Sequence, residues 1–183
     1  MIRYVAFLRA INVGGHTVRM EQLRALFKAM GFLDVQTFIA SGNVVFCSKT
    51  TDTRALERRI ETRLQESLGY AVATFVRSIG DVHEIARYQP FPDDGPGTDT
   101  STVYVILLSR TLKPAARKQL LSFTSDMDGF AVKGREIYWR RRGTLLESPI
   151  SGAQLERTAT GPATMRNRNT MVRLAAKYPA VES

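Results

Sequence analysis

Residues 4–15 read YVAFLRAINVGG, and the remainder of the chain is arranged around them. Tyr4-Val5-Ala6-Phe7-Leu8 is an apolar run short enough for a buried strand. Arg9 falls where that strand should end. Asn12 and the pair Gly14-Gly15 follow, and a helical pattern begins near Met20. A central strand that empties into a glycine-bearing loop ahead of a helix is a common seat for a ligand.

Outward from this stretch, apolar spacing and turn residues predict a strand at 3–8 and a helix at 20–30 stopped by Gly31. Strands at 35–40 and 44–48 flank the turn Ser41-Gly42-Asn43, where Gly and Asn tolerate positive φ. A helix at 53–68 ends at Gly69, and a strand at 72–77 leads into a helix at 78–88 that Ser78 and Asp81 open as a capping box. The stretch QPFPDDGPGTDTS, residues 89–101, is acidic and rich in Pro and Gly, so no period survives through it. Beyond it the order recurs: a strand at 103–108, a helix at 113–124, a hairpin of 130–133 and 136–140 around Gly134-Arg135, a short helix at 153–157, a strand at 163–165 and a helix at 170–177 ahead of Pro179. ATFVRSIGDVHEIARYQP also weakly answers ATMRNRNTMVRLAAKYP. The expectation is an α+β duplication: a subdomain at 1–90, a linker at 91–101 and a second, basic subdomain at 102–183. Each is a ferredoxin-like β-α-β-β-α-β unit with an antiparallel sheet and an extra helix.

In that topology the first strand runs antiparallel to the third. Arg9, Asn12, Gly14 and Gly15 then share a sheet end with Ser41, Gly42 and Asn43. The first half spends about ten residues between this strand and its helix, the second only 109–112, which makes the longer loop a candidate functional insertion.

The lone Cys47 forms no internal disulfide, and no Cys/His cluster has metal-ligand spacing, so no metal or cofactor is expected. The N-terminus lacks a basic-then-apolar signal pattern and no apolar run reaches ~18 residues, so the expected compartment is the cytoplasm, without membrane insertion. The net charge is +9, and residues 129–178 alone carry a net +7. Such charge favours anionic partners: nucleic acid, nucleotides, phosphorylated metabolites or membrane surfaces.

Gly14-Gly15 could bring backbone N–H groups to a phosphate or carboxylate, but no Lys-Ser/Thr follows as in a P-loop, and the Rossmann G-x-G-x-x-G is absent. The alternative is a simple tight turn. Arg9 suits an anion clamp, or a local carboxylate. His16, beside the glycines, is the acid/base candidate, whereas His83 reads as a surface residue. Arg166-Asn167-Arg168-Asn169-Thr170 opens the last helix: either asparagine can cap it, and arginines at a helix N-terminus suit an anion. Tyr138-Trp139-Arg140-Arg141-Arg142 interleaves aromatic and basic groups as a nucleic-acid surface would, with a buried Trp139 as the ordinary alternative.

FLRAINVGGHTVRMEQLRALFKAMGF, VQTFIASGNVVF and ATMRNRNTMVRLA resemble a bacterial family, domain-of-unknown-function family number 1697, and the likeness covers nearly the whole chain. The resemblance implies a duplicated α+β fold and a set of positions rather than a reaction. Those positions are Arg9, Asn12, Gly14, Gly15, Ser41, Gly42, Asn43, Arg166, Asn167, Asn169 and Thr170. The family's usual tryptophan is Arg168 here, and its frequent lysine is His16, so an aromatic stacking role at the last helix does not transfer. The leading expectation is an anion-binding protein whose ligand is a nucleotide or nucleic acid. One alternative is an enzyme acting on a phosphorylated or carboxylated small molecule, with Arg9, Asn12 and His16 in its site. The other is a dimerising scaffold. Enzyme or not is open at this point, as is the oligomeric state.

Overall fold

Alternation along the first strand sets the first layer. In β1 (Ile2–Leu8), Tyr4, Ala6 and Leu8 join the helix-side core, while Val5 and Phe7 point to the opposite face. All five side chains are at most 2% exposed, so the strand is buried on both faces. The structure is a computed structural model and describes residues 1–39, 42–91, 101–143 and 150–180.

The first repeat continues through α1 (Met20–Ala29), β2 (Leu33–Thr37), β3 (Asn43–Ser48), α2 (Thr53–Leu68), β4 (Thr74–Ser78) and α3 (Ile79–Arg87). The second runs through β5 (Thr102–Leu108), α4 (Pro114–Leu121), β6 (Asp128–Lys133), β7 (Glu136–Arg141), α5 (Gly152–Ala159), β8 (Ala163–Asn167) and α6 (Arg168–Lys177). Two four-stranded antiparallel sheets result, ordered β2-β3-β1-β4 and β6-β7-β5-β8. The fold is a duplicated ferredoxin-like arrangement, as the element order predicts. No helix among the described residues is long and apolar enough to cross a membrane.

Internal contacts divide the chain into one unit of Met1–Glu84 with Leu174–Ser183 and another of Ile85–Arg173. The division falls inside α3 and α6. In the first unit, Leu23 and Phe27 of α1 and Leu56, Ile60 and Leu64 of α2 pack on β1 and β3. Each such side chain contributes about 1.5–3 kcal/mol on burial. Tyr178 also belongs to this unit: its hydroxyl bonds to Gln36 Oε1 at 3.0 Å, its carbonyl accepts from His83 Nε2 at 2.9 Å, and its ring meets Phe38 edge-on. In the second unit, Leu120, Leu155 and Trp139 pack with Ile106 and Leu108 of β5. Residues 92–100, most of the expected linker, lie outside the described residues.

α2 matches its expected bounds because both of its ends are written locally. Asp52 accepts the Arg54 and Ala55 N–H groups, and Gly69 takes φ +80 just past the last turn. Ser78 and Asp81 make the reciprocal capping box at 3.1 and 2.9 Å. β2 departs from expectation and stops at Thr37, because Phe38 N–H turns to the Asn43 carbonyl and Ile39 adopts φ +58. α6 begins at Arg168, two residues earlier than expected, because Asn167 is the cap and bonds Asn169 N–H at 2.8 Å.

β4 lies at a sheet edge, yet its outward N–H groups are engaged. Glu57 and Glu61, one turn apart on α2, accept from Val76 and Thr74, each at 2.9 Å. Glu156 of α5 reaches Ala163 N–H of β8 in the same way at 3.4 Å. Carboxylates on α2 thus occupy outward amides of the β4 edge, and one on α5 occupies the first amide of the β8 edge, which blunts both strands against strand addition there.

Candidate functional site

The β1 end gathers the first set of expected residues. Antiparallel pairing places Phe7 opposite Asn43, and Leu8 N–H bonds to the Gly42 carbonyl at 2.8 Å. On the other side, Arg9 N–H bonds to the Ala73 carbonyl at 2.9 Å. The chain then turns through Ala10 at φ +52, a conformation that residues with a Cβ seldom take. Asn12 Oδ1 accepts Val18 N–H at 2.7 Å and so closes the loop that follows.

Gly42 is required twice over. Its φ is +75, and a Cβ there would sit 3.0 Å from Ile11 Cγ2 and 3.2 Å from the Leu8 carbonyl oxygen. Gly14 and Gly15, at φ +71 and +85, are exposed and have open space where a Cβ would stand, so conformation alone requires them. His16 stacks on Tyr70 with ring centroids 3.9 Å apart, and the Tyr70 hydroxyl donates to the Ile11 carbonyl at 2.9 Å. Burial pushes the Tyr70 phenol pKa up. Arg9, Asn12 and His16 are all exposed. Asn43 is not: it is 1% exposed and its Nδ2 holds the Phe38 carbonyl at 3.0 Å, so its side chain shapes the turn. Ser41 lies outside the described residues.

The second set sits at the β8–α6 junction. Arg166 Nη1 donates to Thr164 Oγ1 and to the Met165 carbonyl on its own strand, and burial lowers its pKa to about 10, which leaves it cationic at neutral pH. Asn167 is the cap, Asn169 is exposed and Thr170 half-buried. Arg168 Nη2 donates to the Ala86 carbonyl at 2.6 Å, which gives this arginine a structural task.

The arginine run on β7 divides by strand alternation. Arg141 stands opposite Asp128 in register, and the two make a 3.0 Å ion pair at 1% and 0% exposure. Asp128 also accepts Trp139 Nε1–H at 2.7 Å. Arg141 therefore has no surface to offer a phosphate, which corrects its place among the nucleic-acid candidates, and Trp139 is core, the ordinary alternative for it. Arg140 lies over the Phe91 ring at 5.2 Å, and Arg142 Nη1 donates to the Asp126 carbonyl at 3.1 Å. Among the described residues no group of His, Cys, Asp and Glu could hold a metal ion.

A duplicated ferredoxin-like fold with one long glycine loop at a strained strand end defines a two-repeat α+β protein rather than a nucleotide-binding α/β fold. The chain belongs to the family described as Protein of unknown function (DUF1697), whose model matches residues 1–138. Among solved structures it is similar to conserved bacterial protein SP0830 from Streptococcus pneumoniae, with a TM-score of 0.67 and 18% identity, over 97% of this chain and 98% of that one. That likeness is one of fold. No curated protein matches the chain.

Proposed function

We infer that this protein binds a small anionic ligand, a nucleotide or phosphorylated metabolite, at the β1 end of the first unit. One observation carries the reading. Two non-glycine residues with positive φ, Ala10 and the β-branched Ile39, lie just past the ends of β1 and β2, and Ala10 stands in the chain between the exposed Arg9 and the exposed Gly14-Gly15. Left-handed backbone at such residues costs on the order of 1–3 kcal/mol each and concentrates at ligand sites. Arg9 supplies charge, the glycine amides supply donors free of side-chain cover, and His16 supplies an imidazole edge held by Tyr70. The burial of Arg141 favours the nucleotide form of this reading over the nucleic-acid form. The single, buried cysteine suits a reducing compartment such as the cytoplasm.

A thermal-shift screen across nucleotides and phosphorylated metabolites tests it. A true ligand raises the Tm of the wild-type protein, and Arg9→Ala abolishes that rise when each protein is read against its own ligand-free Tm. A rise that survives Arg9→Ala refutes the site. The held imidazole also supports a second reading, an enzyme on such a substrate. There His16→Ala removes turnover and keeps binding.

A further inference from the structure

The corner between the first strand's exit and the last helix–strand loop is filled in the first unit and open in the second. In the first unit Arg9 bonds to Ala73, and Tyr70 closes over Ile11 beneath His16. In the second unit the β5–α4 connection is only residues 109–113, and 160–162 join α5 to β8. A cleft of about 370 Å³ opens between them, within the size range of small-molecule sites.

Its lining is chemically one-sided. Arg110 and Lys113 supply two cations, Ser109, Thr111 and Thr160 supply hydroxyls, and the lining residues include no carboxylate to neutralise them. Lys113 is also the residue that opens α4. It makes no side-chain cap, Pro114 behind it has no N–H, and the first turn holds no acidic residue. The first amides of that helix, at Ala115 and Ala116, therefore lack a capping side chain. The opposite wall is strained: Thr160, β-branched, sits at φ +56.

We propose that this cleft binds the terminal phosphate of a small phosphorylated molecule. A phosphate monoester is close to a dianion at neutral pH, which matches two cations, whereas a diester carries one charge. The Arg110 fork can take two phosphate oxygens, Lys113 acts as a point charge, and the hydroxyls donate to what remains. The volume beyond the phosphate suits a small organic group. This site is independent of the β1 loop and stands or falls without it.

Titration of the isotope-labelled full chain with inorganic phosphate and with glycerol 3-phosphate, read from backbone amide shifts, tests the assignment. Saturable shifts at residues 109–113, 115–116 and 160–161 are expected. Arg110→Gln with Lys113→Gln should weaken binding roughly tenfold or more. Both side chains are exposed, so amides away from the cleft should keep their positions in that variant. Arg9→Ala should leave this binding unchanged. Shifts that fail to saturate, shifts confined to the β1 loop, or dimethyl phosphate binding as tightly as glycerol 3-phosphate would each overturn the proposal.

Discussion

Replacing Asp128 by alanine strips a buried network of its carboxylate. Asp128 is fully buried, pairs with Arg141 at 3.0 Å and accepts the Trp139 indole at 2.7 Å. Its removal leaves a buried guanidinium without this counter-charge and an indole N–H without this acceptor. Breaking a buried pair from one side costs about 3–5 kcal/mol, so we expect a loss of about 4 kcal/mol. With a urea slope of about 2 kcal/mol/M, the midpoint should fall by about 2 M. The double replacement Asp128→Leu with Arg141→Leu removes both charges, and apolar substitutes for a buried pair are often neutral, so it should recover most of the loss. Trp139 is the only tryptophan in the chain and sits in the network, so its fluorescence reports unfolding of this unit directly. A double variant as unstable as Asp128→Ala would refute the reasoning. So would an Asp128→Ala midpoint within about 0.5 M of wild type, the equivalent of roughly 1 kcal/mol.

Gly42→Ala must hold positive φ and press its methyl on Ile11 and the Leu8 carbonyl, for a loss of about 2–3 kcal/mol, whereas Gly15→Ala meets open space and should lose about 1 kcal/mol; calorimetric melts of the two variants rank them. Glu61→Ala leaves the Thr74 amide at the β4 edge without its acceptor and should cost about 1–2 kcal/mol. Hydrogen exchange should show that amide losing protection ahead of its neighbours. If the basic face binds nucleic acid at all, Arg140→Ala with Arg142→Ala should flatten the salt dependence by about 0.7–0.9 for each phosphate no longer neutralised, and Arg141→Ala should lower stability without changing that slope. Anisotropy titrations across salt concentrations separate the two.

Element order was legible because its signals are local. Apolar runs, the Asp52 and Ser78 caps and the stop at Gly69 each act within a few residues, and α2 came out to the residue. The meeting of the β1 end with the turn at Gly42 was also legible, since the Leu8–Gly42 bond follows from one antiparallel pairing. Arg141 was not. Three consecutive arginines look like a surface patch, and only the register that sets Asp128 opposite Arg141 shows the middle one to be inside. Asn43 read as a turn residue for its tolerance of positive φ, yet it is a strand residue whose buried amide ties the turn to Phe38. The Arg110–Lys113 cleft left no pattern in the sequence, because it arises from a short connection and the lack of any side chain playing the part of Tyr70. Two cations flanking Thr111 and Leu112, without an acid nearby, were the one available hint.

The first unit draws on Leu174–Ser183, and through Tyr178 those residues reach Gln36, Phe38 and His83. Synthesis proceeds from the N-terminus at about 5–20 residues per second, and the 89 residues from Ile85 to Arg173 separate the two parts of this unit. The ribosome therefore needs roughly 5–20 s between delivering its first part and delivering its last. The other unit is contiguous and has all its residues before that moment. The segment made first is thus the last to be completed, and during the wait Phe38 lacks the Tyr178 ring against it and His83 the Tyr178 carbonyl.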